Sequence, residues 1–232
     1  FFPIGVVCMT TPVTAWSWSR YELYARCPLA FKLKNIDKIE EPVSKAMARG
    51  RDVHKSLDNY ITGKTEVCPP EVKHPFHQKL YGEMRAFPAE DKVVEQQWGF
   101  TSSWKPTSWF GKDTWFRAIL DAGFMYDDLS FEAVDHKTGK KYGENAEQME
   151  LFALAVMLKY PPVQNVTTRL VYLDSGEEES HEFAISVKSN LVAKWERKVA
   201  PMFSDTVFAP RPNDKCRFCH FSKSNTGMCT FG

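Results

Sequence analysis

Two runs with strand character, 116–126 and 131–137, flank Asp127-Asp128-Leu129-Ser130, a stretch with the composition of a turn. Neighbouring runs of this kind fold back as a hairpin and commit the surrounding chain to a sheet. The second run reads Phe131-Glu132-Ala133-Val134-Asp135-His136-Lys137 and continues into Thr138-Gly139. Side chains alternate faces along a strand, so Asp135 and Lys137 share a face. A three-residue loop, 127–129, sets Tyr126 against Ser130 and brings Asp121 directly opposite Asp135. A two-residue loop sends the two carboxylates to opposite faces. Opposed residues on one face sit about 4.5 to 5.5 Å apart at Cβ, and two carboxylates that close repel unless a cation lies between them. Such a pair asks for a divalent metal, and a lysine beside it supplies fixed positive charge where an oxyanion develops. An ordinary exposed hairpin with scattered charges is the competing reading, which the hairpin alone does not exclude.

With 232 residues and 43% hydrophobic content the chain can bury one substantial core, and a single domain is expected. A formal net charge of +1 confines any nucleic-acid binding to a local basic surface. No apolar run is long enough to span a membrane. The first eight residues lack the basic start and small-residue cleavage pattern of a signal peptide; they read either as native or as an extension ahead of a start at Met9. Six cysteines are present: Cys8, Cys27, Cys68, Cys216, Cys219 and Cys229. Without a secretion signal, the C-x-x-C of Cys216 and Cys219 reads as a metal clamp rather than part of a disulfide framework, which places the chain in a reducing, cytoplasmic compartment.

Around the hairpin the chain alternates helices and strands. Ser19-x-x-Glu22 has the form of a capping box, so a helix is expected from Ser19 to about Cys27, where Pro28 kinks or restarts the chain. Cys27 then lies at a helix boundary, either as a ligand or as a buried free cysteine. A second helix spans 44–61 and stops at Thr62-Gly63; within it Gly50 and His54 share a face, so the glycine clears space one turn from the imidazole. His54 is either a ligand or a partly exposed helix histidine. A third helix is expected over 75–87 and a strand over 93–100. The loop 101–114 and its borders hold Trp98, Trp104, Trp109 and Trp115 interleaved with Lys105 and Lys112. Exposed aromatics among lysines suit stacking on unpaired bases, while Trp98 and Trp115 read as packing on the sheet. Lys140 and Lys141 follow the hairpin. An amphipathic helix is expected over 145–159, with Asn145 and Gln148 as its capping box. Strands over 169–173 and 181–187, joined by the acidic turn 174–178, precede a helix over 189–203 and a cysteine-bearing tail.

Taken in order, Gly50-x-x-x-His54, Asp121, Asp135-x-Lys137-Thr138-Gly139 and Gln148-x-x-x-Phe152 resemble the motifs of the PD-(D/E)XK nuclease superfamily in its RecB-like branch. One cysteine before these motifs and three after them are similar to the iron-sulfur exonucleases of CRISPR adaptation and to AddB-type nuclease domains. The resemblance implies an α/β, restriction-endonuclease-like core: a central mixed sheet flanked by helices, with the terminal segments joined by a four-cysteine cluster. It implies that His54, Asp121, Asp135 and the backbone carbonyl of His136 bind Mn²⁺ or Mg²⁺, that Lys137 orients the attacking water, and that Gln148 contacts DNA or that water. Cys27, Cys216, Cys219 and Cys229 would hold a [4Fe-4S] cluster, with structural Zn²⁺ as the alternative, His220 replacing one cysteine. In two places the chain departs from the pattern. Phe152 stands where tyrosine is usual, and nine residues separate Cys219 from Cys229.

What the resemblance implies for organisation is an extension over 1–18 and a nuclease domain over 19–232, in which 19–35 and 204–232 form the clasp around a core of 36–203. The implied activity is metal-dependent hydrolysis of phosphodiester bonds at DNA ends, on single strands or duplex ends, in recombination, repair or CRISPR-adaptation processing with a protein partner from one of those systems. Trp104, Lys105, Trp109, Lys140 and Lys141 are the expected DNA contacts. The rival reading is a non-catalytic, cluster-stabilised DNA-binding or assembly subunit.

Overall fold

The computed structural model describes residues 13–127, 129–139 and 145–232, with the backbone alone at Asn145. Cys8, Asp128, Lys140 and Lys141 lie outside the described residues. In chain order the elements are α1 (Trp18–Arg26), α2 (Pro28–Phe31), a π-helical turn (Lys32–Ile36), α3 (Lys45–Ile61), α4 (Pro75–Ala86), β1 (Lys92–Phe100), β2 (Pro106–Thr107) and β3 (Phe116–Asp127). They continue with β4 (Ser130–Lys137), α5 (Asn145–Lys159), β5 (Asn165–Tyr172), β6 (Glu177–Ala184), α6 (Lys188–Ser204) and a short 3₁₀ turn at Cys216–Phe218. None of these helices is long and apolar enough to cross a membrane. Two compact units result: Pro42–Lys194, and the chain up to Glu41 together with Trp195–Gly232.

In the unit from Pro42 to Lys194 the six strands form one sheet in the order β2-β1-β3-β4-β5-β6. Only β4 and β5 pair in parallel, so the sheet is mixed, as expected of an α/β core. Helix α3 begins where the Ser44 hydroxyl accepts the Met47 N–H at 3.1 Å, leaving one fewer unpaired donor at the helix start. It ends at Gly63, whose φ of +78 is the left-handed conformation glycine adopts most readily. Helices α3 and α4 cover one sheet face, where Val53, Leu57, Ile61, Tyr81 and Met84 pack on Ala122, Phe124, Val134 and Val171. Helix α5 lies on β5 and β4, with Met149 against Leu170 and Tyr172.

The hairpin keeps its expected register by a different route. Asp127, not Tyr126, faces Ser130, and the pairing shifts between Met125 and Asp127. That bulge absorbs one residue, so Ala122 opposes Val134 and the ladder points Asp121 at Asp135. Gly123 permits the packing above it, since a Cβ there would stand 2.5 Å from the Phe131 ring.

Other expectations are corrected. Helix α1 is capped by Ser17, which accepts the Arg20 N–H, rather than by Ser19. Helix α5 is not amphipathic: Leu151 to Leu158 is buried on every side, in keeping with an unbroken apolar run. Strand β5 starts at Asn165, and Glu177 and Glu178 belong to β6 rather than to a turn. β6 is the edge of the sheet, where exposed charges are tolerated and discourage edge-to-edge pairing.

The second unit is built on aromatic contacts. Trp16 and Trp195, both fully buried, stack at 5.7 Å, and Tyr21 meets Trp195 edge-on at 5.3 Å. Phe31 stacks on Phe208 at 6.2 Å, and the Tyr24 hydroxyl donates to Asp205 at 2.9 Å, tying α1 to the segment after α6.

In the sheet-bearing unit a buried polar contact joins α4 to the sheet: the Tyr81 hydroxyl of α4 lies 2.8 Å from His136 Nδ1 of β4. Burial depresses the His136 imidazole to about 4, so the ring is neutral at pH 7 and the Tyr81 hydroxyl is the hydrogen-bond partner of its Nδ1. Replacing Tyr81 by phenylalanine leaves that nitrogen buried and unpaired, and should lower the unfolding free energy by about 1–3 kcal/mol. Urea unfolding of the variant at pH 7 measures it, and an unchanged midpoint would show that the bond carries no stability.

Candidate active site

The site forms where β3 and β4 part. Ala122–Val134 is the last registered pair of the hairpin on this side, while β4 stays paired with β5 through Lys137 and Tyr172. Beyond it the His136 N–H donates to Asp121 Oδ2 at 3.0 Å. The Asp121 side chain thus accepts a donor that an uninterrupted ladder gives to a strand carbonyl.

The second partner of Asp121 comes from α3, where His54 Nδ1 lies 3.2 Å from Asp121 Oδ2. Burial pushes the Asp121 carboxyl up, but the His54 imidazole and the His136 N–H outweigh it and hold the group below its ordinary value. Burial likewise pulls the His54 imidazole down, yet Asp121 and Asp135 together raise it to about 9. Helix α3 is fixed beside the strand ends by Arg49, which donates to the Thr138 carbonyl at 3.0 Å and grips Asp174 through both nitrogens.

On β4, Asp135 and Lys137 share a face as expected. Lys137 Nζ stands 2.6 Å from Asp135 Oδ2 and donates to Gln148 Oε1 at 3.0 Å. Gln148 in turn donates through Nε2 to Asp135 Oδ1 at 3.1 Å. The three side chains close a triangle, so α5 locks the orientation of both β4 groups. Asp135 is 5% exposed, and burial lifts its carboxyl to about 6 against the pull of Lys137, the charge on Asp121 adding to the rise. Its Oδ2, although beside the Lys137 ammonium, accepts no directed hydrogen bond.

Sequence reasoning missed Glu95. It falls opposite Asp121 in the β1–β3 register, between the pairs Val94–Ala122 and Gln96–Leu120. Ligand atoms of His54, Glu95 and Asp121 lie within 4.8 Å of one another. An imidazole with two carboxylates is a donor set that suits Mn²⁺ or Mg²⁺, while the nearby Asp135 is held by Lys137. The register to β3 was the signal for Glu95; its local sequence, Val94-Glu95-Gln96-Gln97, carries none.

Of the expected DNA contacts, Lys140 and Lys141 lie outside the described residues, and the others differ in exposure. Trp104 is 7% exposed and meets Trp115 edge-on at 5.1 Å, so its ring packs inside the protein and offers no stacking platform. Lys105 is exposed. Trp109 is half-buried, with the Arg117 guanidinium 5.4 Å from its ring centre. Phe110, not singled out from the sequence, is 84% exposed.

In the second unit Cys27, Cys216, Cys219 and Cys229 line one cavity, and His220 is not among its lining residues. The Arg211 N–H points at Cys27 Sγ at 3.5 Å and the Asn213 N–H at Cys216 Sγ at 3.4 Å. Burial pushes the Cys219 thiol up, and the neighbouring Cys27 and Cys216 add to the effect. Cys68 stands apart, packed against the apolar core of the other unit.

A search of curated proteins returns no significant match. Among solved structures the chain is similar to SSO0001, at 13% identity over 94% of this chain and 86% of that one, with a TM-score of 0.46. It is also similar to a candidate exonuclease from Eubacterium rectale, at 12% identity over 88% of each chain, with a TM-score of 0.47. The decisive comparison is with protein families: one family profile covers residues 15–224, a span holding every residue of the site described above, and by that match the chain belongs to the PD-(D/E)XK nuclease superfamily.

Proposed function

We propose that this protein is a metal-dependent deoxyribonuclease that hydrolyses phosphodiester bonds at DNA ends, in recombination, repair or CRISPR-adaptation processing. The observation that carries the reading is the closed triangle of Asp135, Lys137 and Gln148 beside the Asp121–His54 pair. His54, Asp121, Asp135 and the His136 carbonyl would hold Mn²⁺ or Mg²⁺. The bound cation supplies a water of lowered pKa and neutralises charge on the phosphate. Lys137, kept protonated by Asp135 in spite of burial, orients the attacking water and faces the charge that develops on the phosphate. Gln148 keeps Lys137 and Asp135 in register and turns its amide to the water or to the DNA. A non-catalytic DNA-binding subunit would have no need of a buried lysine and aspartate held this way.

For the second unit we propose a [4Fe-4S] cluster on Cys27, Cys216, Cys219 and Cys229, with structural Zn²⁺ as the second reading. Two backbone N–H groups aimed at sulfur suit thiolate ligands, and the position of His220 outside the cavity lining favours four cysteines over three with a histidine. Bound there, the cluster cross-links α1 to the tail; hydrolysis itself needs no electron transfer. For the DNA contact we retain Lys105 and Trp109 and add Phe110.

End-labelled linear DNA, single- and double-stranded, should be degraded with Mn²⁺ or Mg²⁺ and left intact in EDTA. Asp135→Ala and Lys137→Ala should each lose on the order of 10² to 10³-fold in rate while keeping the parent's circular dichroism. No cleavage of either substrate by folded, metal-loaded protein would leave the non-catalytic subunit as the reading.

Protein purified without oxygen should be brown and contain iron and sulfide. Cys216→Ala should lose both, together with thermal stability, because metal binding is coupled to folding. Colourless protein with one bound zinc would reassign the cavity.

Trp109→Ala and Phe110→Ala should each weaken single-strand binding by roughly tenfold, within the range for one base–aromatic stack. Fluorescence anisotropy with an oligonucleotide measures this, and unchanged affinity in both variants would remove the loop from the binding surface.

A further inference from the structure

Charge around the site does not balance. Asp135 is answered by Lys137, and Asp121 by His54 and the His136 N–H. Glu132 of β4, also buried, is answered by Arg169 at 2.6 Å. Glu95 has no such answer: among the described residues its carboxylate takes part in no ion pair and no hydrogen bond, although it lies within ligand distance of His54 and Asp121. Lys55 of α3 is already paired with Asp58 at 2.6 Å.

The backbone also departs from the strand at this residue alone. Glu95 has a φ of +51, a left-handed conformation that costs a residue with a side chain about 1–2 kcal/mol, yet the β1–β3 register is the same before and after it. The left-handed residue interrupts the alternation of side chains without breaking the ladder. With it in place, carboxylates from β1, β3 and β4 follow one another across the sheet: Glu95, Asp121 and Asp135. Asp135, already paired with Lys137, ends the row on β4.

We propose that Glu95 is a further ligand of the divalent cation, contributed by β1 from the solvent-exposed side of the site and acting with His54 and Asp121. This rests on the catalytic reading given above and extends its ligand set from two carboxylates to three. The occupant is a hard divalent cation, Mn²⁺ or Mg²⁺, because added carboxylate oxygen favours such ions over softer metals.

The test is Mn²⁺ binding to the full-length protein without DNA, followed by calorimetry and by electron paramagnetic resonance, for the parent, Glu95→Gln, Glu95→Gly and Asp121→Asn. Glu95→Gln should weaken Mn²⁺ binding roughly tenfold or more without lowering the melting temperature of the metal-free protein. Glu95→Gly should do the same while raising that temperature, because glycine adopts a positive φ without strain. Asp121→Asn should lose Mn²⁺ binding altogether. If both Glu95 variants bind Mn²⁺ as the parent does while Asp121→Asn does not, Glu95 is no ligand and the catalytic reading stands. If Asp121→Asn also binds as the parent does, the cation lies elsewhere and both readings fall.

Discussion

The parting of β3 from β4 is the constraint on which the rest of the sheet-bearing unit depends. A sheet that stayed zipped through Asp121 and Asp135 would give every backbone donor to a carbonyl and bury two like charges with nothing between them. Here the His136 N–H bonds to the Asp121 carboxylate, and the opening lets α3 deliver His54 from one side while α5 delivers Gln148 from the other. The parallel neighbour β5 keeps β4 straight through the opening, so the gap does not spread to the rest of the sheet. Three elements remote in sequence converge because one hydrogen bond was diverted.

Burial sets the electrostatics of this arrangement. Each charge or polar atom taken out of water needs a partner, and the partners come from the surrounding elements: Lys137 for Asp135, Arg169 for Glu132, and Tyr81 for Nδ1 of the neutral His136 ring. The pairing keeps Lys137 charged in a place where an isolated lysine would lose its proton. The same logic holds Asp121 ionised and lifts Asp135 to about 6, so two carboxylates at equivalent positions on adjacent strands differ in their affinity for a proton.

Much of the fold was legible in the sequence because its signals were local. Ser44 capped the helix that ends at Thr62-Gly63, α5 began and ended where expected, and the spacing of Asp121 and Asp135 about a short turn gave the register. The turn itself was misjudged, since a bulge at Tyr126 leaves no mark in composition, and two errors of one residue cancelled. Glu95 was illegible for a related reason. Its meaning comes from the strand beside it, and Val94-Glu95-Gln96-Gln97 reads as solvated surface. Trp104 failed in the opposite direction: tryptophan among lysines looks the same whether a loop displays the ring or folds over it, and contact with Trp115 decided the matter.

The two units differ in how the chain supplies them. Pro42–Lys194 is one uninterrupted stretch, whereas the other unit needs segments from both sides of it, with Cys27 and Cys229 lining the same cavity. On a ribosome that emits roughly 5–20 residues per second, the sheet-bearing unit has all its parts as soon as Lys194 is clear. Helix α1 is made before that unit and must wait for the tail. For that interval Cys27 carries an exposed thiol and the apolar surface that Trp195 and Phe208 will cover stands open, which makes the order of synthesis, rather than the strength of any one contact, the hazard this chain has to survive.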